Sequence, residues 1–237
     1  MELREVQIPS SDSKLNGLLG IPDGAGPFPV VVVVHEVFGI DESMRAQVEK
    51  LTSLGYLTIM PDLFSRGGAR KCLTATFKAL TAQKGQAFDD VSAAKAYAQS
   101  LPQASDKAGV IGFCMGGAFA LILAGRGYDV SAVNYGRLPD NLDEILSVAC
   151  PIIGSFGGAD KSLKGAAKTL EIALTKHGVK HDVKEYPNTG HAFLNPVQAG
   201  PTLLKPILKR VLGIAPAPEQ AADAWQRIDA FFKEELV

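Results

Sequence analysis

The chain has 237 residues, 46% of them hydrophobic and 21% charged, with a formal net charge of −1 at pH 7. That balance suits one globular α/β domain over residues 1–237 and gives no electrostatic case for nucleic acid or an anionic membrane as partner. No apolar run reaches the ~18–20 residues of a membrane span, the start lacks the apolar stretch of a secretory leader, and cysteines 72, 114 and 150 form no C-x-x-C pair, so a soluble protein of a reducing cytoplasm is expected.

In chain order, residues 2–8 and 15–21 are short extended candidates and read as a hairpin at one sheet edge. A Pro/Gly loop follows at 22–29. Val30 to Val34 are five consecutive valines, as in a strand covered on both faces, and they run straight into His35-Glu36-Val37-Phe38-Gly39. Residues 44–54 have helical spacing and stop at Gly55; 57–60 are the next strand, closed by Pro61-Asp62. This strand–helix–strand rhythm implies parallel neighbours and a right-handed crossover. A basic, glycine-containing loop at 65–71 leads to a weakly helical 74–80. An amphipathic helix spans 88–101, with Val91, Ala94, Tyr97, Ala98 and Leu101 on one stripe. Further strands are expected at 110–113, 130–135, 151–156 and 181–186. Helices are expected at 118–124, at 163–177 with Gly178 as its C′ residue, at 202–212 and at 221–236; 136–143 reads as a loop. The whole is an open, mostly parallel sheet with helices on both faces.

The informative stretch is Gly112-Phe113-Cys114-Met115-Gly116, a G-x-C-x-G form of the nucleophile elbow between a strand and a helix. Small neighbours let strand and helix approach closely around a strained central residue. The turn lifts the thiol clear of the sheet and sets it at a helix N-terminus, where unpaired N–H groups favour negative charge. A buried structural cysteine is the plainer reading of the pentapeptide alone. Two further patterns favour chemistry. Glu36, Cys114, Asp160 and His191 each follow an expected strand, and open α/β sheets bind ligands beyond the carboxyl ends of their strands. The order nucleophile, acid, base along the chain is also that of a strand-elbow triad. His191 sits in a glycine-flanked loop after the last strand, whereas His177 ends a helix and His181 opens a strand. Asp160 follows a strand 46 residues after Cys114 and 31 before His191, although Asp is also a common helix N-cap.

Gly-Phe-Cys-Met-Gly-Gly, His-Glu-Val-Phe-Gly after the valine strand, Pro-Asp-Leu-Phe after the next, and Gly-His-Ala-Phe near the C-terminus together resemble the dienelactone hydrolase (carboxymethylenebutenolidase) family. The resemblance implies an α/β-hydrolase fold and a Cys-His-Asp triad, which maps onto Cys114, His191 and Asp160. It also implies that Glu36 contacts the nucleophile, keeps the resting thiol neutral, and moves on substrate binding to help take the proton. A carboxylate beside a thiolate does oppose its ionisation. A free cysteine is only a few per cent thiolate at neutral pH. A helix terminus supplies about 0.3–1 kcal/mol, up to ~2, so the rest must come from the imidazolium or a base. The N–H groups of Met115 and Val37 are the expected oxyanion hole.

Substrate contacts are expected from Phe38, Arg66, Arg70, Tyr135 and Asn195. The resemblance implies two arginines holding a substrate carboxylate. One lies four residues after the histidine, where this chain has Asn195; the other lies in a segment that is shortened here, where Arg66, Arg70 and Lys71 are candidates to replace it but solvated loop charges are the plainer reading. Loss of bidentate carboxylate recognition is not conservative, so the chemistry is expected to persist while the substrate differs. The leading expectation is a cysteine-dependent hydrolase that opens a lactone or activated ester through a thioester, with no metal or cofactor, as a monomer or weak dimer. The alternatives are a broader carboxylesterase or thioesterase of the same fold, or a catalytically silent small-molecule binder. A glutamine amidotransferase shares the G-x-C-x-G elbow but needs a close His-x-Glu, and His191-Ala192-Phe193 supplies none.

Overall fold

In the computed structural model of the protein, residues 1–10, 15–198 and 215–237 are described. They form an eight-stranded sheet of β1 (Glu2–Ile8), β2 (Leu15–Ile21), β3 (Phe28–Val34), β4 (Leu57–Pro61), β5 (Ala104–Phe113), β6 (Val130–Asn134), β7 (Ile152–Gly157) and β8 (His181–Tyr186), in the spatial order 1-2-4-3-5-6-7-8. β1 pairs β2 antiparallel and β2 pairs β4 antiparallel, which gives the expected hairpin edge; every other pairing is parallel. The helices are α1 (Glu42–Ser53), α2 (Gly68–Ala82), α3 (Gln86–Gln99), α4 (Met115–Leu123), α5 (Leu142–Leu146), α6 (Ala166–Lys176) and α7 (Pro218–Leu236). The helix expected at 202–212 lies outside the described residues.

The valine strand explains the layering. All five valines are fully buried, and their parity sorts them to opposite faces. Val31 and Val33 join Met44, Val48 and Leu51 of α1 and Trp225 and Phe232 of α7. Val30, Val32 and Val34 join Val91 and Ala94 of α3 and Phe119 of α4. Each such side chain contributes roughly 1.5–3 kcal/mol of transfer free energy, an upper value because the unfolded chain is itself partly collapsed.

Several boundaries differ from the sequence expectation: α4 starts three residues early, at Met115, and α6 three residues late, at Ala166, after a 3-10 turn at Lys161–Leu163. The glycine-containing loop ends early, because α2 begins at Gly68 and recruits Ala69 to Lys71, good helix formers with no apolar stripe to announce them. α5 is a short turn of helix at Leu142–Leu146, where only the end of a loop was expected. β5 starts six residues before Val110, at Ala104, because its polar first half still pairs at the sheet margin. The expected C′ glycine of α6 is Gly178, at φ +65°.

Candidate active site

Because β3, β5, β7 and β8 run parallel, the residues that follow them gather at one rim of the sheet. Cys114 follows β5 and precedes α4 with φ 54° and ψ −114°. Such a conformation costs of order 1–3 kcal/mol for a non-glycine residue, and the surroundings leave the chain no alternative. A Cβ on Gly112 would lie 1.8 Å from the Gly116 carbonyl oxygen, and one on Gly116 would lie 2.0 Å from that of Val34. The elbow glycines are therefore where three backbones touch. The Cys114 N–H donates to the Asn134 carbonyl at 3.1 Å, tying the elbow to the end of β6.

Asp160 follows β7 and is almost fully buried. Its two oxygens have separate tasks. Oδ1 accepts from the Ser162 backbone N–H at 2.9 Å and its hydroxyl at 2.6 Å, capping a short 3-10 turn (Lys161–Leu163). Oδ2 lies 2.6 Å from His191 Nδ1. One carboxylate thus caps the turn and bonds the imidazole at the same time. Burial would raise its pKa, but the bonds from His191 and Ser162 overcome this and hold it below the ordinary carboxylate range.

His191 follows β8 in a turn stitched to the end of β7, where the Ala159 N–H donates to the Thr189 carbonyl at 2.9 Å. The ring meets Tyr135 edge-on at 5.1 Å between centroids. With Nδ1 on Asp160, Cys114 is the other polar group whose charge acts on the ring. Burial opposes the imidazolium, but Asp160 and Cys114 together outweigh it and raise the pKa to about 10.

Glu36 follows β3 and is buried at 3% exposure. Asn195 Nδ2 donates to its Oε1 and Oε2 at 3.1 and 3.2 Å. Asn195 is held in turn by Gln47 of α1, whose Nε2 donates to Asn195 Oδ1 at 3.3 Å and to the Leu194 carbonyl at 3.0 Å. Burial pushes the Glu36 carboxyl up to about 7, with Asn195 and the His191 charge pulling the other way. The buried Tyr135 hydroxyl faces both Glu36 and Cys114, and the low-dielectric surroundings and those charges hold its pKa well above the ordinary phenol value. It has no partner at hydrogen-bonding geometry among the described residues.

Residues 15–236 match the dienelactone hydrolase family. The chain belongs to that family. A carboxymethylenebutenolidase from Pseudomonas putida is 30% identical over 206 residues, covering 82% of this chain and 87% of the relative. A Klebsiella pneumoniae structure provisionally assigned as a dienelactone hydrolase superposes with a TM-score of 0.81 at 26% identity, covering 98% of both chains. A dienelactone hydrolase from Anabaena variabilis shares the fold, with a TM-score of 0.74 at 20% identity and coverage of 100% and 99%. The fold is the α/β-hydrolase fold, and membership places the protein among the carboxylic ester hydrolases. No helix among the described residues is long and apolar enough to cross a membrane.

For a member of this family, the remaining expected contacts are unevenly distributed. The structure brings Glu36, Cys114, Asp160, His191, Tyr135 and Asn195 together. Phe38 and Val37 are half-buried in the turn after Glu36. Arg66 is drawn elsewhere: its guanidinium pairs with both oxygens of the buried Asp90 on α3 and donates to the Ser10 hydroxyl at 3.0 Å. The backbone of Arg70 lies in α2, and its side chain is outside the described residues. Cys150 is partly buried, with its thiol pushed up to about 12 mainly by burial. Sequence reasoning did not find Gln47 or Ser162. Gln47 had a usable signal, a polar side chain on the buried stripe of α1.

Proposed function

We propose that Cys114 is the nucleophile of a hydrolase acting on neutral esters and lactones, with His191 as base, Asp160 as its orienting acid, and Glu36 as a second ionisable group. The observation that carries this is the bond between Asp160 Oδ2 and His191 Nδ1 at 2.6 Å, with Cys114 the other polar group acting on the same imidazole. In the first half-reaction Sγ, its proton passed to His191, bonds to the carbonyl carbon. The tetrahedral oxyanion is held by the N–H groups of Met115, at the start of α4, and Val37. Collapse breaks the C–O bond, His191 protonates the departing alkoxide, and a thioester remains. In the second half-reaction His191 takes a proton from water, the hydroxide adds to the thioester, and the returning proton regenerates the thiol as the acid leaves. For a lactone the leaving oxygen stays tethered, so ring-opening gives a single hydroxy acid.

Two placements favour substrates without a free carboxylate. Asn195 points its amide at Glu36, and Arg66 is engaged by Asp90. Neither offers a bidentate fork to an anion. The test is a panel of aryl esters and lactones paired with and without a carboxylate, run on wild type and Cys114→Ala, with intact-mass detection of an acylated Cys114. Turnover of the neutral members with a trapped acyl group is expected. A wild type inactive on the whole panel points to a silent binder. Turnover that survives Cys114→Ala sinks the cysteine mechanism, and a strong preference for the carboxylate-bearing members sinks the substrate class.

A further inference from the structure

The mechanism above leaves the buried imidazole of His35 without a role. His35 is fully buried at the end of β3, edge-on to Phe64 at 4.8 Å between ring centroids. Its Nε2 lies 3.1 Å from the Leu63 backbone nitrogen and its Nδ1 lies 2.7 Å from the Glu36 carbonyl oxygen. A backbone N–H can only donate, so Nε2 accepts. Nδ1 must then carry the proton and donate to the carbonyl, and the ring is neutral. The Gly39 N–H donates to the same carbonyl at 3.1 Å. Two donors fix the plane of the Glu36–Val37 peptide.

That peptide is trans, because Gly26–Pro27 is the only cis bond among the described residues. A trans peptide directs its N–H opposite to its C=O. The carbonyl is turned toward Leu63, just beyond β4, and β4 and β5 flank β3 on opposite sides. The Val37 N–H is therefore turned toward the β5 side, where Cys114 stands. There the first turn of α4 presses on the end of β3, at the Gly116–Val34 contact described above. The Val37 N–H has no backbone acceptor among the described residues.

We infer that His35 is a positioning residue for the oxyanion hole: by holding the Glu36 carbonyl from behind, it aims the Val37 N–H at the carbonyl oxygen of the substrate. The inference rests on the Cys114 mechanism and adds a device that the mechanism alone does not require.

The experiment compares wild type, His35→Phe and His35→Gln on an aryl acetate and on its thiono analogue, in which sulfur replaces the carbonyl oxygen. Sulfur is a poor hydrogen-bond acceptor, so an oxyanion hole favours the oxygen ester. His35→Phe keeps a ring against Phe64 and removes both nitrogens. It is expected to lower kcat on the oxygen ester by about 10²-fold, with KM little changed. The thiono ester should lose much less, so the oxygen-to-thiono ratio collapses. His35→Gln retains one donor and one acceptor and should restore most of the ratio. If the Phe variant does not fold, His35→Met, also without a donor, takes its place. A parallel loss on both esters means that His35 only braces the strand end, and overturns the inference; so does an unchanged kcat on the oxygen ester. A wild type inactive on both esters sinks the Cys114 mechanism and this inference with it.

Discussion

Replacing Glu36 by Gln removes a buried acid whose pKa stands at about 7 instead of 4.5, chiefly because burial disfavours its charge. The gap, 7 − 4.5 = 2.5 pH units, corresponds to about 3.4 kcal/mol at ~1.36 kcal/mol per unit. The sign follows from proton counting. Between pH 4.5 and about 7 the folded chain binds more protons at this site than the unfolded chain does. Stability therefore falls as pH rises through that window and levels off above it. Glutamine does not titrate and escapes the fall. Urea unfolding of wild type and Glu36→Gln at pH 5 and at pH 8 should show the variant gaining on wild type by about 2–3 kcal/mol between the two conditions. In thermal melts that is about 4–12 °C for a chain of this size. The raised pKa of His191 also tilts stability, downward as pH rises from 6.5 toward about 10, but both proteins carry it and it largely cancels in the difference. A stability gap that is the same at both pH values would refute the claim that Glu36 is held against its charge.

Asp160→Asn keeps an acceptor for the Ser162 bonds but not the charge that orients His191; kcat on an aryl ester should fall by about 10⁴-fold with a melting temperature near wild type. Arg66→Ala strips the guanidinium from the buried Asp90, which keeps donors from Ser10 and Gln86. It should destabilise the fold by about 3 kcal/mol in urea titrations without changing the ratio of kcat/KM values for paired neutral and carboxylate-bearing esters. Gly112→Ala forces a methyl to within 1.8 Å of the Gly116 carbonyl oxygen. It should abolish soluble expression or activity together, whereas Gly178→Ala, with open space around it but φ +65°, should cost about 1 kcal/mol and leave kcat alone.

The sheet was legible because its strands differ in kind. Five valines in a row can serve only a strand covered twice, whereas His181 to Tyr186, expected to alternate, form an edge strand of half-buried and exposed positions in which only Tyr186 is buried. Spacing alone also marked the four rim residues, since each follows a strand of the parallel set. The partnerships at the rim were not legible. That Asn195 grips Glu36 while Gln47 grips Asn195 depends on α1 crossing behind the rim, a contact between residues 148 positions apart. Asp90 is similar: an acidic residue on the stripe of α3 looks like an ordinary surface charge until Arg66, 24 positions earlier, is found beside it. Such pairs are written in three dimensions only, because nothing local in the chain distinguishes a gripped side chain from a solvated one.

The sheet order carries a consequence for how this enzyme fails. Cys114 and His191 hang from unequal supports: β5 has a neighbour on each side, while β8 is an edge strand paired, among the described residues, with β7 alone. On warming, the outermost strand frays first, and the imidazole departs with it while the thiol still stands on its elbow. Hydrolysis should therefore fade several degrees before the bulk of the sheet melts, and return on cooling.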